Sequence, residues 1–211
     1  MTALQIVALL STAAALAGQG TRPKAQPSEY PVHTALDKGC ELGAEYMVHS
    51  IPTPSGILIA DDYLIVDVAF FGPLKTKLDL SSGNFVLRIN NQKSAIQPNS
   101  AASVAASLKY PSFAQPSSGP AVTGGVGIGL GMPIPVSRPL PNPAPADPNG
   151  PAREVETPLE ERIEHAALVE GDQPTPASGL IFFPYRGRMK SIKSIELIYE
   201  GPAGKVSLKL L

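Results

Sequence analysis

The densest run of reactive side chains in the 211-residue sequence is basic. Four cations lie within eight residues, with no acidic residue between them: Arg186, Arg188, Lys190 and Lys193. Such a cluster can hold the carboxylate, phosphate or sulfate groups of a partner. Because the run falls between two predicted strands, we predict an exposed loop. A solvated turn without a binding role is the interpretation we favour. The alternative is a loop that binds an anionic envelope polymer, a sulfate-bearing glycan or an acidic patch of an envelope protein, with these four cations as the candidate binding residues.

The side chains that could ligate a metal form no recognisable motif. The three histidines are scattered, and the most suggestive grouping is Met47 with His49 on one side of a predicted strand and Cys40 nearby. A soft-metal site is one interpretation, and a core methionine with a rim histidine is the one we favour. The sequence therefore predicts no metal and no cofactor. Cys40, the single cysteine, has no partner for an intramolecular disulfide.

The acidic residues give no catalytic signature either. Asp61 and Asp62 could stand for the paired acids of a glycoside hydrolase, but neighbours in a strand point to opposite faces, so we predict a turn before Tyr63. Asp67 lies in an apolar strand, where an ion pair with a partner such as Arg88 is predicted. No Gly-x-Ser-x-Gly nucleophile motif occurs. No catalytic residue is predicted, and an enzyme is the less favoured class.

Several segments alternate in hydropathy with the period of two that is typical of β-strands. Tyr63–Phe71 is apolar on both faces, which predicts a strand at the centre of a sheet. Half-buried strands are predicted over 84–90 and 191–200, and a hairpin over 195–211 closes the chain. The other predicted strands are 40–51, 94–97 and 180–185.

One helix is clearly marked. Thr157 is placed as its N-cap, Pro158 as the first helical residue and Glu160 as the partner of Thr157 in a capping box, with Gly171 as the stop. A weaker helical turn, or else a loop, is predicted over Ala101–Leu108. About seven short strands separated by turns favour a mainly β fold, an antiparallel β-sandwich with one short helix.

A proline- and glycine-rich tract interrupts this pattern. Between Tyr110 and Pro151 only Arg138 and Asp147 are charged. We predict a long disordered loop over 111–152, with a partner-docking role as the alternative. Gly125–Gly131 superficially matches a phosphate-binding loop, but proline-rich coil flanks it where a strand and a helix are required, so no nucleotide site is predicted.

The N-terminus is predicted to be a secretory signal over 1–17. Leu4–Ala17 is almost wholly apolar or small, too short to span a bilayer, and ends in a small-x-small cleavage pattern. The basic residue usual in Met1–Gln5 is missing, so a buried apolar helix is the alternative. We expect an exported protein, periplasmic or secreted, with a flexible tail over 18–34, a single sandwich domain over 35–211 and no transmembrane segment.

The charge and aromatic content of the chain argue against some classes of binding partner. The formal net charge is −1, and the chain has no tryptophan. Electrostatic binding of nucleic acid is not predicted, because it depends on a strong excess of cations. Few aromatic residues also weaken the case for a platform that stacks bases or sugars.

Three strand segments and the leader resemble a protein group. The segments are Tyr63–Phe71, Gly179–Pro184 and Ile195–Gly201. Their order resembles uncharacterised exported bacterial proteins with an immunoglobulin-like β-sandwich. The resemblance implies that sandwich and an envelope or extracellular location, and it supplies no catalytic residues. We therefore expect a non-enzymatic binding or structural module. The alternative is a metal-handling protein or hydrolase whose site is assembled from distant residues.

Overall fold

The computed structural model describes residues 20–110 and 157–211 of the chain. The predicted signal at 1–17 and the predicted loop at 111–152 lie outside the described residues. Within the two described ranges the protein is mainly β, with antiparallel sheets and two short α-helices. Neither of these helices has the length and hydrophobicity that a membrane crossing requires.

The described strands form two larger sheets and two small ladders. In chain order they are β1 (Val32–Ala35), β2 (Glu41–Val48), β3 (Ser50–Thr53), β4 (Gly56–Ile59), β5 (Tyr63–Phe71), β6 (Lys77–Leu80), β7 (Phe85–Ile89), β8 (Gly171–Pro174), β9 (Ala177–Pro184), β10 (Ile195–Gly201) and β11 (Gly204–Lys209). The main sheet has the order β1-β2-β5-β9 and the second sheet the order β11-β10-β7. Strands β3 and β4 pair with each other, as do β6 and β8.

Strand β5 lies inside the main sheet, between β2 and β9. Its residues are buried on both faces, apart from the half-buried Asp67 and Phe71. A strand of this kind must be covered on both sides, because its apolar side chains alternate between two faces. The prediction of a central strand over Tyr63–Phe71 is confirmed.

The larger core lies between the main sheet and the second sheet. Phe70 of β5 packs there against Phe85 of β7 and Tyr199 of β10. The ring centroids are 6.0 Å apart for Phe70 and Phe85, 5.3 Å for Phe70 and Tyr199, and 4.9 Å for Phe85 and Tyr199. All three rings are buried. The period-two alternation of the two sequence segments puts Phe85 and Tyr199 on the inner face. The half-buried strand over 84–90 is confirmed, as is the hairpin of β10 and β11, whereas the strand predicted over 191–200 begins only at Ile195.

A smaller core covers the opposite face of the main sheet. Ile65 and Phe182 pack there with Ile51 of the β3–β4 hairpin, Val104 of α1 (Ala101–Lys109) and Ile163 of α2 (Leu159–Ala166). Helix α1 occupies the segment expected to be a weak helical turn or a loop. The prediction of a single short helix is therefore wrong, because burial of Val104 against the sheet stabilises a second one.

The start of α2 also differs from the prediction. The helix begins at Leu159, because Pro158, with φ −50° and ψ 145°, lies outside the helical region and takes the N-cap position without a side-chain cap bond. The predicted capping box of Thr157 and Glu160 is therefore wrong. Glu160 instead pairs with Lys109 of α1, with 2.5 Å between Oε1 and Nζ. The helix ends at Ala166, and Gly171 opens β8 with φ +91°.

Residues Gly20–Tyr30 run across the helix-covered face of the main sheet, and we call them the strap. Tyr30 is 2 % exposed, and its ring covers Gly43 of β2 so closely that a Cβ on Gly43 would lie 2.6 Å from a ring carbon. Lys24 pairs with Glu45 of β2. Within the range predicted as a flexible tail, 18–34, the strap thus packs on the sheet and β1 begins at Val32.

Candidate functional site

A groove of about 750 Å³ opens where α1 faces the ends of β5 and β9. Its lining combines a carboxylate, a guanidinium, small side chains and aromatic rings: Asp62, Tyr63, Ala106, Tyr110, Tyr185 and Arg186. Arg186 belongs to the basic run that the sequence singles out. The groove therefore places Arg186, a predicted binding residue, opposite helix α1.

One face of α1 forms a wall of this groove. Asn99, Ser103, Ser107 and Tyr110 line it, and residues three or four apart share one face of a helix. Ser100 caps the helix by accepting a hydrogen bond from the Ser103 amide at 3.3 Å. The buried face of the helix holds Val104 and Ala105, so the hydroxyl-bearing face is left to the groove.

The hydroxyls of this wall are already engaged. Ser103 Oγ lies 2.9 Å from Ser100 Oγ, and Ser107 Oγ donates to the Val104 carbonyl at 2.7 Å. Serine hydroxyls in helices commonly bond back to the preceding turn in this way. The side chains of this wall are small, and because both serine hydroxyls already have partners, their capacity to bond a ligand is reduced.

The opposite wall extends the pairing of β5 with β9. The Tyr185 amide donates to the Asp62 carbonyl at 2.8 Å, one step beyond the Tyr63–Pro184 pair. Arg186 Nη2 then lies 3.3 Å from Asp62 Oδ2, with about half of each side chain exposed. The predicted turn at Asp61–Asp62 is confirmed, and it places a carboxylate beside the basic loop.

The basic loop, residues 186–193, has a folded backbone. Tyr185 Oη donates to the Arg188 carbonyl at 3.3 Å, and Asn90 Oδ1 accepts from the Lys193 amide at 2.7 Å. A Cβ on Gly187 would lie 2.4 Å from Tyr185 Oη, so a larger residue there would displace the end of the Tyr185 side chain. The loop thus holds its cations in fixed places while their side chains stay exposed.

The structure separates the four predicted binding residues. Arg186 lines the groove, whereas Arg188, Lys190 and Lys193 lie on the exposed loop beyond it.

The residues of the suggested metal grouping do not come together. Cys40 is buried in the core between the two sheets, Met47 packs against the smaller core, and His49 Nδ1 lies 2.6 Å from the Tyr63 carbonyl. Residues 20–110 and 157–211 contain no cluster of three or more His, Cys, Asp or Glu side chains suited to a metal ion.

Asp67 has a different partner from the predicted one. Its Oδ1 accepts a hydrogen bond of 2.8 Å from Thr21 Oγ1 of the strap, and the Ser178 hydroxyl beside it donates to the Thr21 carbonyl. Arg88, the predicted partner, pairs with Glu196 on the second sheet at 2.9 Å. The proposed Asp67–Arg88 pair is therefore wrong, because the two residues lie on different sheets.

Burial dominates the electrostatics of Asp67. It raises the pKa of the carboxyl from 3.8 to about 6, against the lowering effect of the Thr21 hydrogen bond. Glu45 on β2 raises this pKa further, and Lys24 of the strap lowers it. Asp67 is thus the described carboxyl most resistant to losing its proton, and it lies beneath the strap rather than in the groove.

Comparison with known proteins adds no relative. The chain matches no family model, no curated protein and no solved structure. The class that the structure itself defines is a mainly β domain with antiparallel sheets and a groove beside one helix.

Proposed function

We propose that the chain is a non-enzymatic binding module of the bacterial cell envelope or extracellular space that holds an anionic partner at the groove and the basic loop. One observation carries the proposal: Arg186 lines the groove and also begins a run of exposed cations. The groove and the run of exposed cations therefore share one residue.

The charge of this region supports an anionic partner. The loop carries Arg186, Arg188, Lys190 and Lys193 without an acidic residue, and Asp62 pairs with the first of them. Like-signed charges on one surface attract partners of opposite charge and raise the rate of encounter. Loops at the ends of sheets are also where binding residues concentrate.

The proposed architecture is an immunoglobulin-like sandwich. Support comes from two antiparallel sheets that share one core, with the basic loop joining the main sheet to the second sheet between β9 and β10. The envelope or extracellular location rests on the signal pattern of residues 1–17. A metal-handling or hydrolytic function has no specific observation in its favour among the described residues.

The proposal is tested by retention of the purified full chain on isolated cell-envelope material at low salt. Charge reversal of Arg186, Arg188 and Lys190 to Glu should abolish retention, because the cations would then repel the partner. Reversal of Lys77, Lys205 and Lys209 to Glu makes the same change in net charge on β6 and β11 and should leave retention unchanged. Equal retention of both triple variants would contradict the proposal.

A further inference from the structure

We infer that the groove takes an extended peptide segment of a partner protein, with a carboxylate of that segment at Arg186. The inference rests on the proposed function and specifies the chemistry of its partner. It follows from three features of the groove. The first is its length along α1, and the second is that the serine hydroxyls of its wall already have hydrogen-bond partners. The third is the ion pair of Arg186 with Asp62, in which a carboxylate of the ligand could replace Asp62.

The length of the groove suits an extended chain. The lining residues Asn99 and Tyr110 flank α1 on either side. The nine residues of the helix span about 14 Å at 1.5 Å per residue. An extended peptide advances about 3.3 Å per residue, so about four residues fit along this wall.

The chemistry of the wall favours a peptide over a sugar chain. Ala106 has no polar group, and the hydroxyls of Ser103 and Ser107 are bonded within the helix region. A sugar presents hydroxyls on most of its faces, and each one that is buried without a partner is costly. An extended peptide can instead turn its backbone amides towards solvent and place apolar side chains against Ala106 and Tyr110. Tyr110 is 51 % exposed, and Lys109 Nζ lies 5.6 Å from its ring centroid.

The charged end of the groove selects a carboxylate. Arg186 and Asp62 are 3.3 Å apart and about half exposed, and an ion pair of this kind contributes little stability. A carboxylate of the ligand can therefore replace Asp62 at Arg186 at small cost. Arg188 and Lys190 follow Arg186 in the same loop as exposed cations, so further acidic residues in the peptide are also favoured.

The inference is tested by selecting a phage-displayed library of random linear peptides on the full chain. We expect enriched sequences that place Asp or Glu next to apolar residues. Ala106→Trp should lower the affinity for synthetic copies of the enriched peptides by about tenfold or more, because the new ring occupies the groove. Ala25→Trp is the matched control, since Ala25 is an exposed alanine of the strap that does not line the groove, and it should leave affinity unchanged.

Two substitutions test the carboxylate exchange. Arg186→Gln should lower the affinity for acidic peptides by about three- to fivefold, as expected for an exposed ion pair. Asp62→Asn should raise that affinity by about two- to fivefold, because the competing carboxylate is removed. Both effects should shrink with added salt. Thermal unfolding of each variant checks that the fold is retained, and an Asp62→Asn variant that binds more weakly would overturn the exchange.

The remaining outcomes separate the inference from the proposed function. A library that yields no peptide sensitive to Ala106→Trp would overturn the peptide inference. Binding of heparin or polygalacturonate that is sensitive to Ala106→Trp would then assign the groove to an anionic polysaccharide and leave the proposed function standing. If neither probe responds to Ala106→Trp or to charge reversal of the basic loop, the proposed function fails as well.

Discussion

Asp67 shows how a single residue ties stability to pH. In the folded chain the pKa of its carboxyl is raised from 3.8 to about 6, chiefly because burial disfavours the charged form. The folded state therefore binds the proton more tightly than the unfolded state. Protonation of Asp67 stabilises the fold fully below the unfolded pKa, and this stabilisation is lost as the pH rises from about 4 to about 6.

Asp67→Asn should accordingly stabilise the protein above about pH 6. The amide carries no charge, and its oxygen can still accept the hydrogen bond from Thr21. At about pH 8 we expect a gain in unfolding free energy of up to about 3 kcal/mol, an upper bound because Asp67 is only partly buried. Thermal unfolding between about pH 4 and pH 8 measures it.

The contrast with a second carboxyl makes the test specific. Asp172→Asn changes an exposed residue of β8 and should leave the melting temperature nearly unchanged at every pH. The Asp67→Asn variant and the wild type should converge near pH 4, where both side chains are neutral. A variant that is less stable than the wild type at about pH 8 would show that the charged carboxylate stabilises the strap.

At the scale of elements, the strap depends on a missing side chain in β2. Gly43 leaves room for the Tyr30 ring, and a Cβ there would lie 2.6 Å from two ring carbons. Gly43→Ala should therefore displace Tyr30 and cost about 1–3 kcal/mol of stability, as overpacking of buried sites does. Because the strap would then loosen, we expect faster protease cleavage between residues 20 and 31.

Gly83→Ala is the matched control for this substitution. Its added Cβ would lie 3.5 Å from the nearest atom, Ser81 Oγ, which is ordinary contact. Cleavage of the strap at the wild-type rate in Gly43→Ala would mean that Tyr30 does not hold it in place.

The elements found from sequence are those that carry a local period. Tyr63–Phe71 and the half-buried strands alternate over many residues, so their burial follows from the pattern. Strands β1, β3 and β4 have four residues each, too few to show a period, and their pairing depends on distant partners. Helix α1 is rich in Ala and Ser, and its helical state is decided by packing against the main sheet.

The candidate site was predictable to a similar extent. The basic loop stands out because its cations are adjacent in sequence. The groove wall from Asn99 to Tyr110 could not be recognised in the sequence, because its small side chains indicate neither a buried face nor a reactive group. The partner of Asp67 was missed because Thr21 lies 46 residues away and belongs to a segment whose polar composition predicts a flexible tail.

At the scale of the whole molecule, the two described ranges are interleaved. Strand β9 pairs with β5 along its length, and β10 pairs with β7, so each larger sheet contains strands from both sides of residues 111–156. The aromatic trio of Phe70, Phe85 and Tyr199 likewise joins the two ranges in one core. Neither range can bury its sheet faces without the other.

Limited proteolysis of the full chain should therefore cut first within the predicted loop at 111–152 and leave two fragments that stay associated. The β5–β9 and β7–β10 ladders and the shared core hold the fragments together after the chain is cut. Size-exclusion chromatography should show one species at low denaturant, and unfolding should remain a single transition in which both fragments separate together. Fragments that elute apart while each keeps its far-ultraviolet circular dichroism would instead mean two independent domains, and the main sheet would then have to re-form without β9.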